Sequence, residues 1–304
     1  MKKTVLVSGG AGFIGTNLCE SLLNLGNIVY CIDDFSSGRI QNIKRFFENR
    51  NFHFHRCSIT KLPQFLHSVG FDEIYNLACP ASPITYQKCP THTLMSSVLG
   101  IKNILDLAKE TGAKVLQSST SEVYGDPATT PQSEDYWGNV NPIGLRSCYD
   151  EGKRCAESLC MIYARQGVDV KIIRIFNTYG PCMAANDGRF IPNFIMQALK
   201  GEPLTIYGDG MQTRSPQYIT DLINGMKSMM ETPKNIVGPI NIGNPDEHTI
   251  EEVAKLIIQL TNSKSEIIYM PLPEDDPKRR KPDIRTAKKN PQLGTTCIFV
   301  RWAC

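Results

Sequence analysis

Tyr149 and Lys153 stand four positions apart, and Gly9, Gly10, Gly12 and Gly15 crowd into one short string near the start of the chain. On a helix, positions i and i+4 share a face, so the Lys153 ammonium can sit beside the Tyr149 phenol. A neighbouring cation favours the phenolate and lowers a pKa that is about 10 when unperturbed, which makes Tyr149 a base able to work near neutral pH. The string Gly9-Gly10-Ala11-Gly12-Phe13-Ile14-Gly15 follows a predicted strand and opens a predicted helix, the setting of a dinucleotide cradle. Its glycines permit a tight turn and let the backbone approach a pyrophosphate, while the helix start offers unpaired N–H groups and a positive dipole end. Gly15 is expected to let helix and sheet pack closely. Asp33, at the end of the second predicted strand, can accept hydrogen bonds from ribose hydroxyls and would repel a 2′-phosphate, so NAD is favoured over NADP. The chemistry in view is nicotinamide-dependent and acts on a hydroxyl group.

Positioning these residues requires an alternation of strands and helices, and the first half of the chain has it. Short β-branched runs predict strands at Thr4–Ser8, Ile28–Asp33, Phe52–Arg56, Glu73–Leu77, Lys114–Ser119 and Val170–Phe176. Helices are predicted at about 12–26, 41–49, 91–111 and 148–167, with Gly26 and Gly112 as stop signals. This is the α/β class: a doubly wound parallel sheet of the Rossmann type over residues 1–177. After Asn177 the texture turns to glycine, proline and aromatic residues, as in Tyr179-Gly180-Pro181 and Tyr207-Gly208-Asp209-Gly210. Residues 178–304 therefore read as a smaller substrate-binding lobe with some return to the first domain. Within it Thr249 and Glu252 form a capping box ahead of Ile250, Val253, Ala254, Ile257 and Leu260 at helical spacing.

Composition excludes several other classes. A formal charge of +3 on 304 residues, with scattered basic side chains, does not point to nucleic acid or an acidic membrane as partner. The apolar run Val5-Leu6-Val7 enters the glycine loop directly and is too short for a signal peptide, and no segment has the length and apolarity of a membrane span. The 11 cysteines, an odd number without zinc-ligand spacing, read as reduced thiols of a cytoplasmic protein. His53 and His55 would share one side of a strand but lack a third ligand, so no metal is expected.

With Tyr149 and Lys153 downstream of this loop, the chain resembles the extended short-chain dehydrogenase/reductase superfamily, whose members act on nucleotide sugars while keeping their NAD. Four longer strings resemble those of UDP-glucuronate decarboxylases: Asn76 to Pro83, Thr120 to Pro127, Glu134 to Gly138, and Asn141 to Arg154. The resemblance runs from residue 1 to about 294. Chemistry supports it, because loss of carbon dioxide from a saturated sugar acid leaves an unstabilised carbanion, whereas oxidation of the 4-hydroxyl first makes a β-keto acid whose electrons drain into an enolate.

The resemblance implies a cycle in which Tyr149 takes the 4-hydroxyl proton as hydride passes to NAD, the carboxylate departs, and the hydride returns to give UDP-xylose. Thr120 is implied as a hydrogen-bond partner of the 4-oxygen. Glu122 is implied in enolate protonation by organising a water, the related 4,6-dehydratases having Asp-Glu where this chain has Ser121-Glu122. Arg280, in the run Asp275 to Asp283, is implied to bind the substrate carboxylate with its planar guanidinium. The cofactor residues implied are Gly9, Gly12, Phe13, Ile14, Gly15, Asp33, Asp34, Phe35, Leu77, Tyr149, Lys153, Thr178 and Arg189. Those implied for UDP-glucuronate are Pro83, Tyr86, Asn177, Arg189, Tyr207, Arg214 and Arg280. A homodimer is also implied, through helices near 91–111 and 148–167.

The chain departs from the family pattern at Met95, in place of a substrate-contacting Lys, at Cys182, in place of Arg, and at Pro216, in place of an aromatic residue. The segment Thr295 to Cys304 matches nothing in the family, and the helix expected there, which would cover part of the substrate lobe, has no counterpart in the sequence. Two rivals stay open: a UDP-sugar 4-epimerase or 4,6-dehydratase on the same scaffold, distinguished by Ser121-Glu122 and Arg280, and a poorly active sugar-nucleotide-binding relic.

Overall fold

The computed structural model describes residues 2–271 and 279–289. Its first half runs β1 (Thr4–Ser8), α1 (Phe13–Asn24), β2 (Ile28–Asp33), α2 (Ile40–Ile43), β3 (Phe52–Arg56), β4 (Glu73–Asn76), α3 (Pro83–Lys88), α4 (Pro90–Met95), α5 (Ile101–Thr111), β5 (Lys114–Thr120), α6 (Ser147–Arg165) and β6 (Val170–Ile175). There follow β7 (Thr178–Tyr179), α7 (Phe190–Lys200), β8 (Leu204–Tyr207), β9 (Thr213–Arg214), β10 (Gln217–Tyr218), α8 (Ile219–Glu231), β11 (Ile240–Ile242), β12 (His248–Thr249), α9 (Ile250–Leu260), β13 (Ile267–Met270), β14 (Arg279–Arg280) and α10 (Arg285–Lys289).

Seven strands form one parallel sheet in the order β11-β6-β5-β4-β1-β2-β3. Period-two alternation along β1 explains why helices cover both faces: Val5 and Val7 join one buried cluster with Leu18, Leu22, Leu222 and Met226 of α1 and α8, while Leu6 joins another with Ile104 and Leu105 of α5 and Ala156 of α6. A third, separate buried cluster is built from Phe194, Leu204, Ile206, Val253 and Ile257.

Three differences from the sequence expectations have local causes. The helix predicted at 41–49 shrinks to one turn plus the tight turn Lys44–Phe46, because Asn49 takes the chain into β3 by accepting from Phe52 N at 2.9 Å and, through its side chain, from Asn51 N at 3.0 Å. The helix predicted at 91–111 widens between α4 and α5 at Ser96–Gly100, where Ser96 Oγ donates back to His92 O at 2.8 Å and Gly100 meets Ile59 so closely that a Cβ would lie 2.3 Å from its Cδ1. Strand β11 has no counterpart among the predicted strands, since three residues carry no readable periodicity. It is anchored by buried Asn241, which donates to Gln132 O and Asp283 O and accepts from the Tyr124 hydroxyl.

The capping box is present at both of its bonds, Glu252 N to Thr249 Oγ1 at 3.1 Å and Thr249 N to Glu252 Oε2 at 2.8 Å. Thr249→Ala is expected to destabilise α9 and the core beneath it by about 1 kcal/mol, read as a drop in thermal midpoint with unchanged denaturant slope. Among the described residues no helix is long and apolar enough to cross a membrane. The family departures at Thr295 to Cys304, and Asp275 to Lys278 of the basic run, lie outside the described residues.

Candidate active site

A cleft of about 950 Å³ opens at the C-terminal ends of β1, β2, β4, β5 and β6 and is also lined by residues of α7, β8 and β9. The first βα turn forms one end of its floor. Gly9 has φ +72°, and a Cβ there would lie 2.9 Å from the backbone of Leu77 and Ala78, so the turn fits against the strand end after β4 only without a side chain. A Cβ on Gly15 would lie 2.2 Å from Gly9 O and 2.6 Å from Gly10 Cα. This corrects the sequence expectation: Gly15 clears the loop's own turn rather than the sheet. Gly15→Ala is expected to destabilise the fold by about 1–3 kcal/mol and to weaken NAD binding at least tenfold, measured by thermal melts and by cofactor titration.

Asp33 is 7% exposed and accepts from Ala11 N at 3.0 Å and Phe35 N at 2.8 Å. Burial pushes its carboxyl up, and the two N–H bonds oppose the shift. A loop with no room for side chains beside a buried, backbone-fixed carboxylate fits a dinucleotide with free ribose hydroxyls. Phe13, Ile14, Gly12, Asp34, Leu77 and Thr178 also line the cleft. Phe35 does not: its ring packs at a tilt against Phe54, centroids 5.4 Å apart, and lies under Arg56, so only its backbone N–H reaches the site, through Asp33. The Thr178 hydroxyl is engaged with Phe176 O and Gln217 Nε2, both at 2.9 Å.

At the reaction centre α6 carries Tyr149 and Lys153 toward the end of β5. The Tyr149 phenol lies near the Thr120 hydroxyl, and its ring is nearly parallel to that of Tyr86, with centroids 5.1 Å apart and planes at 4°. Lys153 Nζ donates to Ser118 O at 2.9 Å and stands 5.7 Å from the centre of the Tyr149 ring. Here the structure departs from the simple pairing expected of the two residues. Burial dominates and pushes the Tyr149 phenol well above its ordinary value; Thr120 and Arg189 pull it down, and Lys153 is spent on a carbonyl.

Beside them lies a chain of ions that the motif alone did not reveal. Arg280, 6% exposed, donates through Nη2 to Glu122 Oε2 at 2.7 Å and lies 3.5 Å from Ser121 Oγ. The same Glu122 Oε2 is also held by Arg146, which faces Asp150. Burial lowers the Arg280 guanidinium to about 10, which leaves it a cation at neutral pH. β14 pairs with β9 so that Arg280 stands opposite Arg214, and both cations wall the cleft. Arg189 is fixed by Asp187, with Nη2 to Oδ2 at 2.8 Å. Pro83, Asn177 and Tyr207 complete the predicted substrate residues on the cleft wall.

Of the positions where the chain departs from the family, Cys182 lines the cleft with φ +70°, whereas Met95 and Pro216 lie off its walls. Sequence reasoning passed over Arg146 and Asp150, although Arg146-x-x-Tyr149-Asp150-x-x-Lys153 repeats at helical spacing and pairs a cation with an anion at i and i+4.

Residues 5–243 match the model of the NAD dependent epimerase/dehydratase family. The chain is 50% identical over 288 residues to UDP-glucuronic acid decarboxylase 1 of Danio rerio, covering 94% of itself and 68% of that protein. It is 51% identical over 286 residues to UDP-glucuronic acid decarboxylase 2 of Arabidopsis thaliana, covering 94% of itself and 63% of that protein. A solved structure of UDP-glucuronic acid 4-epimerase from Bacillus cereus, in complex with UDP-glucuronic acid and NAD, superposes with a TM-score of 0.85 at 31% identity over 97% of this chain and 95% of that one. UDP-glucose 4-epimerase of Thermotoga maritima superposes equally well, at 0.85, with 27% identity over 94% of this chain and 91% of that one.

Proposed function

The chain belongs to the NAD dependent epimerase/dehydratase family, and from that premise we propose that it is a carboxy-lyase converting UDP-glucuronate to UDP-xylose through a 4-keto intermediate. The observation that carries this reading is the buried Arg280, set in the same cleft as Tyr149 and Thr120 in a chain about half identical to named decarboxylases. Bound NAD would supply the hydride acceptor for the sugar's 4-position and, when oxidised, a positive charge near the phenol.

The chain's own residues account for the rest. Gly9, Gly12 and Gly15 keep side chains out of the turn, so that a pyrophosphate can approach the N–H groups at the start of α1, and Asp33 takes the ribose. Tyr149 moves the proton of the 4-hydroxyl, with Thr120 orienting that oxygen. Its high affinity for the proton in the free chain suits the return step, in which a ketone oxygen must be protonated; taking the proton needs extra positive potential, which Lys153 supplies once it leaves Ser118 O. Arg280 holds the sugar carboxylate until the C5–C6 bond breaks, and Glu122 keeps Arg280 aimed. Arg189 and Arg214 meet the diphosphate.

Incubation with UDP-glucuronate and catalytic NAD, followed by carbon dioxide release, NADH absorbance and NMR of the sugar nucleotide, tests the assignment. UDP-xylose without accumulating NADH is the expected result. A 4-epimerised hexuronate without carbon dioxide would replace it with the epimerase reading.

We also propose a homodimer across α4, α5 and α6, supported by Leu94, Met95, Leu99 and Ile162, each more than a third exposed there; light scattering of the eluting protein tests it. The free thiols of Cys19 and Cys31, buried side by side, fit a reducing, cytoplasmic setting.

A further inference from the structure

Asp150 is turned inward from α6, and its Oδ1 is buried without a hydrogen-bond partner. Its Oδ2 lies 3.8 Å from Nε of Arg146, one turn earlier. Arg146 reaches Glu122, and Glu122 holds Arg280. Asp150, Arg146, Glu122 and Arg280 are thus one chain with two positive and two negative charges. Alongside it the Tyr86 hydroxyl is also buried without a partner.

On the reading of this cleft as a UDP-glucuronate site, on which the proposal rests, the substrate brings a further carboxylate to Arg280 and would leave a buried, neutral chain with net negative charge. Where water is scarce, an uncompensated charge is so unfavourable that a titratable member gives up its own instead. We propose that Asp150 takes up one proton from solvent when the sugar carboxylate binds, so that the chain stays neutral and Arg280 can turn from Glu122 to the substrate. Asp150 is the member that yields because two guanidinium groups hold Glu122, whereas Asp150 has one, at a longer distance, and a bare oxygen ready to carry the proton.

The surroundings support this. Burial already pushes the Asp150 carboxyl up to about 6, against the pull of Arg146 and with a small push from Glu151. Cys148 and Tyr149 face it from its own helix and Tyr86 from α3. Glu122 and Arg280 reach it only through Arg146, and the nearest imidazole on α4, His92, is turned to Asp34 at 3.4 Å. Proton balance is kept. The C5–C6 bond breaks, its electron pair enters the enolate, carbon dioxide leaves, and C5 takes a proton from solvent; the negative charge is then gone and Asp150 releases its own. Each turnover consumes one proton.

The test is calorimetric titration of NAD-loaded Tyr149→Phe protein, slowed so that binding is read ahead of turnover, in two buffers of different ionisation enthalpy at about pH 7. UDP-glucuronate is expected to draw in close to one proton, and UDP-glucose, which lacks the carboxylate, none. Affinity is full where Asp150 is already protonated, below about pH 6, and falls as pH rises, by up to about tenfold per pH unit. Adding Asp150→Asn is expected to abolish both the uptake and this pH dependence. Uptake that persists in that variant, or UDP-glucuronate binding without uptake when Asp150 is present, overturns the proposal. UDP-glucuronate binding no tighter than UDP-glucose at any pH overturns the substrate reading and the proposal with it. If Asp150→Asn does not fold, infrared difference spectra of carbon-13 aspartate-labelled protein decide: a protonated carboxyl band on binding that shifts with the label is expected, and one that shifts only with labelled glutamate refutes it.

Discussion

Tyr149→Phe is expected to lower the rate of carbon dioxide release by roughly 10²–10⁴-fold at saturating UDP-glucuronate, the range that a positioned acid–base group contributes. The loss should fall on kcat, because the hydroxyl is the only group removed. The ring keeps its stack against Tyr86, with centroids 5.1 Å apart, and no backbone bond depends on the phenol, so thermal stability and NAD content should stay close to those of the parent. Lys153→Met tests the other half of the pair differently. Its ammonium is buried and bonded to Ser118 O at 2.9 Å, so that change is expected to reduce both stability and rate. A Phe variant that retains more than about a tenth of the parental rate would mean that some other group moves the proton, and Thr120, near the phenol, is the first to examine.

Arg280→Gln should raise KM for UDP-glucuronate by about 10²–10⁴-fold. A hydrogen bond to a charged group contributes about 1.5–3 kcal/mol, and a carboxylate gripped by the guanidinium fork loses two of them. Binding of UDP-glucose, without a carboxylate, should change little, and NAD affinity should not change, since Arg280 stands at the opposite end of the cleft from Asp33. Arg280→Lys restores the charge without the fork and should recover only part of the loss. Glu122 keeps Arg146 in these variants, so they should fold. An unaltered KM would show that the sugar carboxylate is held elsewhere, with neighbouring Arg214 as the alternative cation.

Much of the first domain is readable from local pattern. Six strands fall within one residue of their predicted limits, because most are short apolar runs buried on both faces and bounded by turn residues, a signal that no distant contact needs to supply; edge strand β3, Phe52–Arg56, is the half-buried exception. The helix stop predicted at Gly112 is present because φ +76° there strongly favours glycine. Strand β11 and the widened turn at Ser96–Gly100 escape such a reading, since the first exists through Asn241 reaching Gln132 and Asp283, and the second through Gly100 meeting Ile59. Phe35 belongs with the cofactor residues by its place after Asp33, yet its φ of +64° turns the ring away onto Phe54.

Residue types and their spacing were enough to point to the chemistry available: a glycine turn that admits a pyrophosphate, a carboxylate at the end of β2, and a Tyr and a Lys on one helix face; an arginine for an anionic sugar was implied only by the family resemblance. These features need only a few turns of chain, where local geometry decides what can meet. The charge each group carries came instead from the folded chain as a whole. Tyr149 keeps its proton because burial outweighs a lysine occupied by Ser118, and Glu122 is clamped between Arg146 and Arg280. Electrostatic energy depends on depth and on partners brought together from 158 positions apart in the chain, as Arg280 and Glu122 are, and spacing along a sequence contains neither quantity.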